Sequence, residues 1–138
     1  MLAKRNRLVT AADYRSTVRQ GRRGRTEHAV LYWRATDATA HARFGFIVAK
    51  SVGNAVQRNL VRRRLKNISH SFFLRGTDTH HRESQGLDVV IRPLPGAVQV
   101  GWATLEREVL SLLHDIRLLD RDERTSSAPD TLNRTARE

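Results

Sequence analysis

Val61, Leu65, Ile68 and Phe72 follow one another at i, i+4, i+7 and i+11, which places them in a single stripe of an amphipathic helix over residues 54–74. A second such stripe, Trp102, Leu105, Val109, Leu112, Ile116 and Leu119, predicts a helix ending near residue 119. Between and before them the period changes to two. Val30, Tyr32 and Arg34 alternate with Leu31, Trp33 and Ala35, and Phe44, Phe46 and Val48 alternate with Gly45, Ile47 and Ala49, predicting strands over 29–35 and 43–50. Their short separation predicts a hairpin. Leu87 to Arg92 reads as a further strand, stopped by Pro93 and Pro95. A first helix opens at Thr10, where Thr10 and Asp13 have the spacing of a capping box, carries Tyr14 and Val18 on one face, and stops before Gly21. Gly21 to Arg25 then reads as a flexible cationic loop.

The order α-β-β-α-β-α predicts an α+β fold, a two-layer sandwich whose middle helix joins neighbouring strands. A chain of 138 residues suffices for one such domain. Residues 1–9 are expected to form a loosely held basic arm, 10–119 the domain, and 120–138, polar and without periodicity, a disordered tail.

Charge sharpens this picture. The formal net charge is +11, and residues 1–75 hold 17 basic against 3 acidic side chains while residues 76–138 hold 8 against 11. An anionic partner meeting the first half is implied, nucleic acid before acidic membrane. The densest run lies on the middle helix. Arg58, Arg62 and Lys66 recur every four residues away from the apolar stripe, with Asn59 and Arg63 beside them, and Gly53 to Arg75 contains no acidic residue. A helix that is merely solvated would interleave acids at i, i+4. This ridge suits phosphates.

The absence of cysteine excludes disulfides, thiolate catalysis and Cys-based zinc sites. No stretch approaches the length of an apolar membrane span, and nothing resembles a signal peptide, so a cytoplasmic location is expected. Six scattered histidines, of which only His80 and His81 adjoin, show no zinc spacing, so no metal site is expected in the chain. No nucleophile and base constellation or phosphate-binding loop supports catalysis by protein groups, and Asp88 reads as a structural carboxylate. Trp33, Phe44, Phe46, Phe72, Phe73 and Trp102 are assigned to the core or its margin.

Phe44-Gly45-Phe46-Ile47-Val48-Ala49-Lys50, then Val52-Gly53-Asn54-Ala55-Val56-Gln57-Arg58-Asn59-Leu60-Val61-Arg62-Arg63-Arg64-Leu65-Lys66, resembles the bacterial ribonuclease P protein subunit. The resemblance extends over residues 5–117, through Arg5-Asn6-Arg7-Leu8, Asp13-Tyr14, Val30-Leu31-Tyr32 and Asp88-Val89-Val90-Ile91-Arg92-Pro93. It implies a sheet of about four strands with a left-handed βαβ crossover through the middle helix. It also implies a protein cofactor of a ribozyme that removes the 5′ leader of precursor tRNA, with no catalytic side chain in this chain and Mg²⁺ held mainly by the RNA subunit and substrate. Carried onto this sequence, Arg58, Asn59, Arg62, Arg63 and Lys66 would bind the ribonuclease P RNA. Tyr14, Val18, Tyr32 and Lys50 would line a leader cleft between the first helix and the sheet, and Lys4, Arg5, Arg7, Arg22 and Arg23 would add phosphate contacts. Neither a membrane nor a small-molecule substrate is implied. The sequence departs from the family pattern at Leu60, where a further basic residue is common, at Val18, where a second aromatic is common, and at Ala49 and Ser51 around Lys50. From the residues alone, a non-enzymatic ribosomal or assembly-type RNA-binding module is the alternative, since a basic helix would serve it equally.

Overall fold

A computed structural model describes residues 4–36, 42–76 and 86–125, with side chains up to residues 72 and 116 in the last two stretches. The elements are α1 (Ala11–Gln20), β1 (Arg22–Arg25), β2 (Ala29–Thr36), β3 (Ala42–Phe46), α2 (Ala55–Gly76), β4 (Gly86–Pro93) and α3 (Trp102–Thr125), with 3₁₀ turns at Lys4–Asn6 and Lys50–Val52. The α+β class and the four-stranded sheet are as expected.

The middle helix starts where its capping residues put it. Asn54 Oδ1 accepts from the Gln57 amide at 2.8 Å, and Gln57 Oε1 accepts from the Asn54 amide at 2.9 Å, so two donors at the helix start are satisfied reciprocally. From there Val61, Leu65, Ile68 and Phe72 turn inward and are buried as a stripe. They meet Leu31, Trp33, Phe44, Val89 and Ile91 of the sheet and Leu105, Val109, Leu113 and Ile116 of α3 in one core. Leu113 takes the fully buried place expected of Leu112, which instead packs partly buried at the margin. Trp33 is core, and Phe46 and Trp102 lie at its edge.

The opposite face of the sheet carries α1. Thr10 Oγ1 accepts from the Asp13 amide at 3.1 Å, confirming the cap, and Tyr14 and Val18 pack against a second cluster of Leu8, Val30, Tyr32 and Val90. The expected two layers therefore gain a partial third, because β2 and β4 present apolar residues on both faces.

Three expectations fail, each because tertiary pairing overrides local sequence. Residues 22–25 are not a flexible loop but the edge strand β1, antiparallel to β2 with Gly24 opposite Leu31. Three arginines and a glycine give no strand signal, yet Gly21 lets α1 run directly into that strand. A Cβ there would meet the Thr17 and Trp33 carbonyl oxygens at 2.4 and 2.5 Å. Secondly, β2 and β3 form no hairpin. The sheet order is β1-β2-β4-β3, with β4 antiparallel to β2 and parallel to β3, so β4 inserts between them. The β3-α2-β4 segment is thus the crossover that joins neighbouring parallel strands. Thirdly, the described part of the amino-terminal arm is held rather than loose at residues 6–8. Asn6 is buried with its Nδ2 donating to the Ala42 carbonyl at 2.9 Å, Arg7 bridges Phe44, and the Leu8 amide donates to the Phe44 carbonyl at 2.9 Å. These residues occupy the outer edge of β3 and close it to further pairing.

At its other end, α3 continues to Thr125, beyond the expected boundary at 119. The remainder of the expected tail, 126–138, lies outside the described residues, as do His80 and His81.

His28 fastens α3 to the β1–β2 connection. Its Nδ1 lies 2.7 Å from Glu108 Oε2, and its amide donates to Glu108 Oε1 at 3.0 Å. Burial alone would raise the Glu108 carboxyl, but hydrogen bonds from the His28 ring, the Thr26 hydroxyl and the His28 amide outweigh it and hold the group below its ordinary value. A carboxylate with a depressed folded pKa contributes stability above its unfolded pKa and loses it as pH falls through the folded one. Glu108→Gln should therefore destabilise the domain by about 1 to 2 kcal/mol at neutral pH. Denaturant melts taken down a pH series should show that difference closing below the ordinary glutamate range; a constant difference would contradict the linkage.

Candidate nucleic-acid interface

Two cationic surfaces lie on opposite sides of the sheet. The first is the outer side of α2. Asn59 and Arg63 are exposed there, and Arg58, Arg62 and Lys66 are half-buried along their stems. Arg58 Nη1 donates to the Gly53 carbonyl at 3.0 Å, and Arg62 Nη1 donates to Asn59 Oδ1 at 2.7 Å, which limits the freedom of both forks before any ligand arrives. Among the described residues these cations form no ion pair, in contrast to Arg34 and Arg43 elsewhere. All five residues expected on the ridge are thus brought together. Arg64 departs from it, half-buried with Nη1 enclosed and without a hydrogen-bond partner. Val56 joins the exposed side at 78 % exposure, a position the helical period already assigns opposite the Val61 stripe.

The second surface is the sheet face under α1, and the strand register builds it row by row. Residues directly opposite in neighbouring strands share a face. One row runs Arg23, Tyr32, Val90 and Gly45; a second runs Arg25, Val30 and Arg92; a third runs Arg34, Asp88 and Arg43. The middle of this face is apolar, and its borders are cationic, with Arg23, Arg25 and Arg92 exposed. Tyr14 covers the first row: a Cβ on Gly45 would meet its ring at 2.5 Å, and its hydroxyl accepts from the Phe46 amide at 3.1 Å. Tyr14 is consequently half-buried and fixed, and Tyr32, at 8 % exposure, forms the floor beneath. Val18 packs half-buried in the same cluster. Lys50 is exposed at the 3₁₀ turn that leads from β3 to α2.

The third row is an ion-pair network. Arg43 Nε and Nη2 donate to the two carboxylate oxygens of Asp88 at 2.8 Å each, and Nη1 reaches Asp13 of α1 at 3.4 Å. Hydrogen bonding to Asp88 raises the Arg43 pKa further above its high ordinary value, against the opposing effect of burial. Asp88 is fully buried, as a structural carboxylate would be.

Of the auxiliary cations, Lys4, Arg5 and Arg23 are exposed, whereas Arg7 and Arg22 are half-buried and already engaged within the protein. Sequence reading misses Arg25, Arg34 and Arg92, because their common face becomes visible only once β1 and β4 are known to flank β2. Glu27, His28 and Glu108 offer ligand atoms within 4.8 Å of one another, a proximity no sequence spacing announces, but the His28 and Glu108 groups already satisfy each other. No helix among the described residues is long and apolar enough to cross a membrane.

The chain is similar in sequence and in fold to known proteins. A ribonuclease P protein component from Clavibacter michiganensis is 49 % identical over 111 residues, covering 80 % of this chain and 92 % of that protein. One from Pseudarthrobacter chlorophenolicus is 41 % identical over 129 residues, covering 92 % and 90 %. Among solved structures, the Staphylococcus aureus RNase P protein superposes with a TM-score of 0.68 at 20 % identity over 80 % of this chain and 94 % of that one, and the Thermotoga maritima RNase P protein with 0.63 at 23 % identity over 78 % and 94 %. The family model for ribonuclease P matches residues 2–117, and the chain belongs to the ribonuclease P protein-component family.

Proposed function

We propose that this chain, a subunit of ribonuclease P, grips the catalytic RNA with the α2 ridge and the 5′ leader of precursor tRNA with the cleft between α1 and the sheet, promoting removal of the leader. The observation that carries this reading is the separation of two cationic surfaces onto opposite sides of one sheet. A module that held a single RNA would need one of them.

In this reading the protein contributes binding and charge neutralisation rather than bond-breaking groups. The ridge offers five side chains aimed outward for phosphates, and the cleft offers an apolar floor rimmed by arginine, the combination that suits stacked bases with a flanking backbone. Mg²⁺, the metal expected of the reaction, does not fit these surfaces: the ridge is cationic, and Asp88 is consumed by Arg43. The metal is therefore assigned to the RNA and substrate, and the chemistry to the RNA subunit. A cytoplasmic location belongs to the same reading.

The test is cleavage of a precursor tRNA by a bacterial ribonuclease P RNA at low millimolar Mg²⁺, with and without this protein. Cleavage at the mature 5′ end only in its presence is the expected result. RNA binding without stimulation, across several such RNAs, would move the chain to the non-enzymatic module.

A further inference from the structure

Arg34 stands on the cleft face of β2, two residues along the strand from Tyr32, and belongs to none of the cation sets drawn from the sequence. Its environment is unusual for an arginine at the edge of a core. The nearest carboxylate, Asp88, is already saturated by the Arg43 fork at 2.8 Å on both oxygens, and Arg34 Nη2 reaches it only at 3.7 Å, beyond hydrogen-bonding range. Arg34 Nε is enclosed and has no hydrogen-bond partner. The side chain as a whole nevertheless retains 24 % exposure, so part of it reaches the surface.

A buried donor without a partner penalises the conformer that holds it. Rotation about the terminal torsions of Arg34 would release that penalty if an anion waited at the cleft mouth, and Asp88 would keep its two bonds to Arg43 meanwhile. The rest of this border supports an anion there, since Arg23 is exposed beside Tyr32 in the neighbouring row. Resting on the cleft reading above, we propose that Arg34 is a phosphate-binding residue of the leader cleft, taking one backbone phosphate of the leader at the cleft border. Arginine suits this role because its planar fork engages two phosphate oxygens together.

The assembled enzyme, native or carrying Arg34→Met, is tested against precursor tRNAs in which single leader phosphates are replaced by neutral methylphosphonates. With the native protein, one linkage, or two adjacent ones, should weaken binding about tenfold when neutralised. With Arg34→Met that sensitivity should vanish, leaving all linkages near the variant's own baseline. The melting temperature of Arg34→Met should be unchanged or higher, because an orphaned donor has been removed. Arg34→Lys, which keeps the charge and loses the fork, should retain a reduced penalty at the same linkage, and provides the same comparison if the methionine variant is unstable. Persistence of the full penalty at that linkage without Arg34 would overturn the proposal while leaving the cleft reading intact. A native enzyme indifferent to every leader phosphate, and to the presence of the leader, would overturn the cleft reading itself. A fall in stability for both variants with unaltered phosphate sensitivity would make Arg34 a structural strut.

Discussion

Asp88→Asn should lower the stability of this domain by about 3 to 5 kcal/mol, the largest single effect expected of any conservative substitution here. The reason is asymmetry. As a pair, the buried Asp88 carboxylate and the Arg43 fork pay desolvation for both charges and recover it through two short bonds. Neutralising Asp88 leaves the Arg43 guanidinium desolvated without compensation, with Arg34 alongside and Asp13 3.4 Å away as the remaining acid. Against a total stability of about 5 to 15 kcal/mol that loss is severe. The melting temperature should fall by more than about 10 °C. Replacing both partners by apolar residues, Arg43→Met with Asp88→Val, should recover most of the loss, since the pair as a whole contributes little net stability. If Asp88→Asn melts within a degree or two of the native protein, the network is not what ties β2, β3 and β4 to α1, and the account of how the cleft border is built fails with it.

Asp88 also marks the limit of what the sequence discloses. A lone carboxylate at a strand start is legible as structural, but its partner lies 45 residues earlier on a strand whose neighbours local reading assigns wrongly. Where a period repeats over several turns, as in Val61 to Phe72, the buried face is readable because every fourth or third residue repeats the same vote. The capping residues Thr10 and Asn54 are readable for a related reason: their chemistry is settled within three residues. Strand pairing has no such local vote. Nothing in Arg22-Arg23-Gly24-Arg25 reports that β2 lies opposite, and nothing in the 43–50 run reports that β4 will insert between it and β2. The α2 ridge is accordingly complete in the sequence, since it lies within one element. The cleft is not, since Arg25, Arg34 and Arg92 reach it from three places in the sheet.

That difference gives the ridge its sharpest test. If the ridge binds as proposed, joint replacement of Arg62 and Arg63 by alanine should weaken binding to the ribonuclease P RNA on the order of tenfold or more near physiological salt, and flatten the dependence of log K on log salt by about two, one for each phosphate that is no longer neutralised. Neither side chain belongs to the core, alanine is at least as good a helix former as arginine, and the Arg62 bond to Asn59 is exposed, so stability should move by no more than about 0.5 kcal/mol. The slope is the informative quantity, because a misfolded fraction would scale the affinity at every salt concentration without altering its salt dependence. The ratio of precursor to mature tRNA affinity, measured on enzyme assembled at saturating protein, should stay at the native value, since the cleft proposed to read the leader lies across the sheet. An unchanged salt slope would remove the ridge from the RNA interface. A flattened slope accompanied by a changed precursor-to-mature ratio would mean that the two surfaces are not independent, and that α2 reaches the substrate as well as the catalytic RNA.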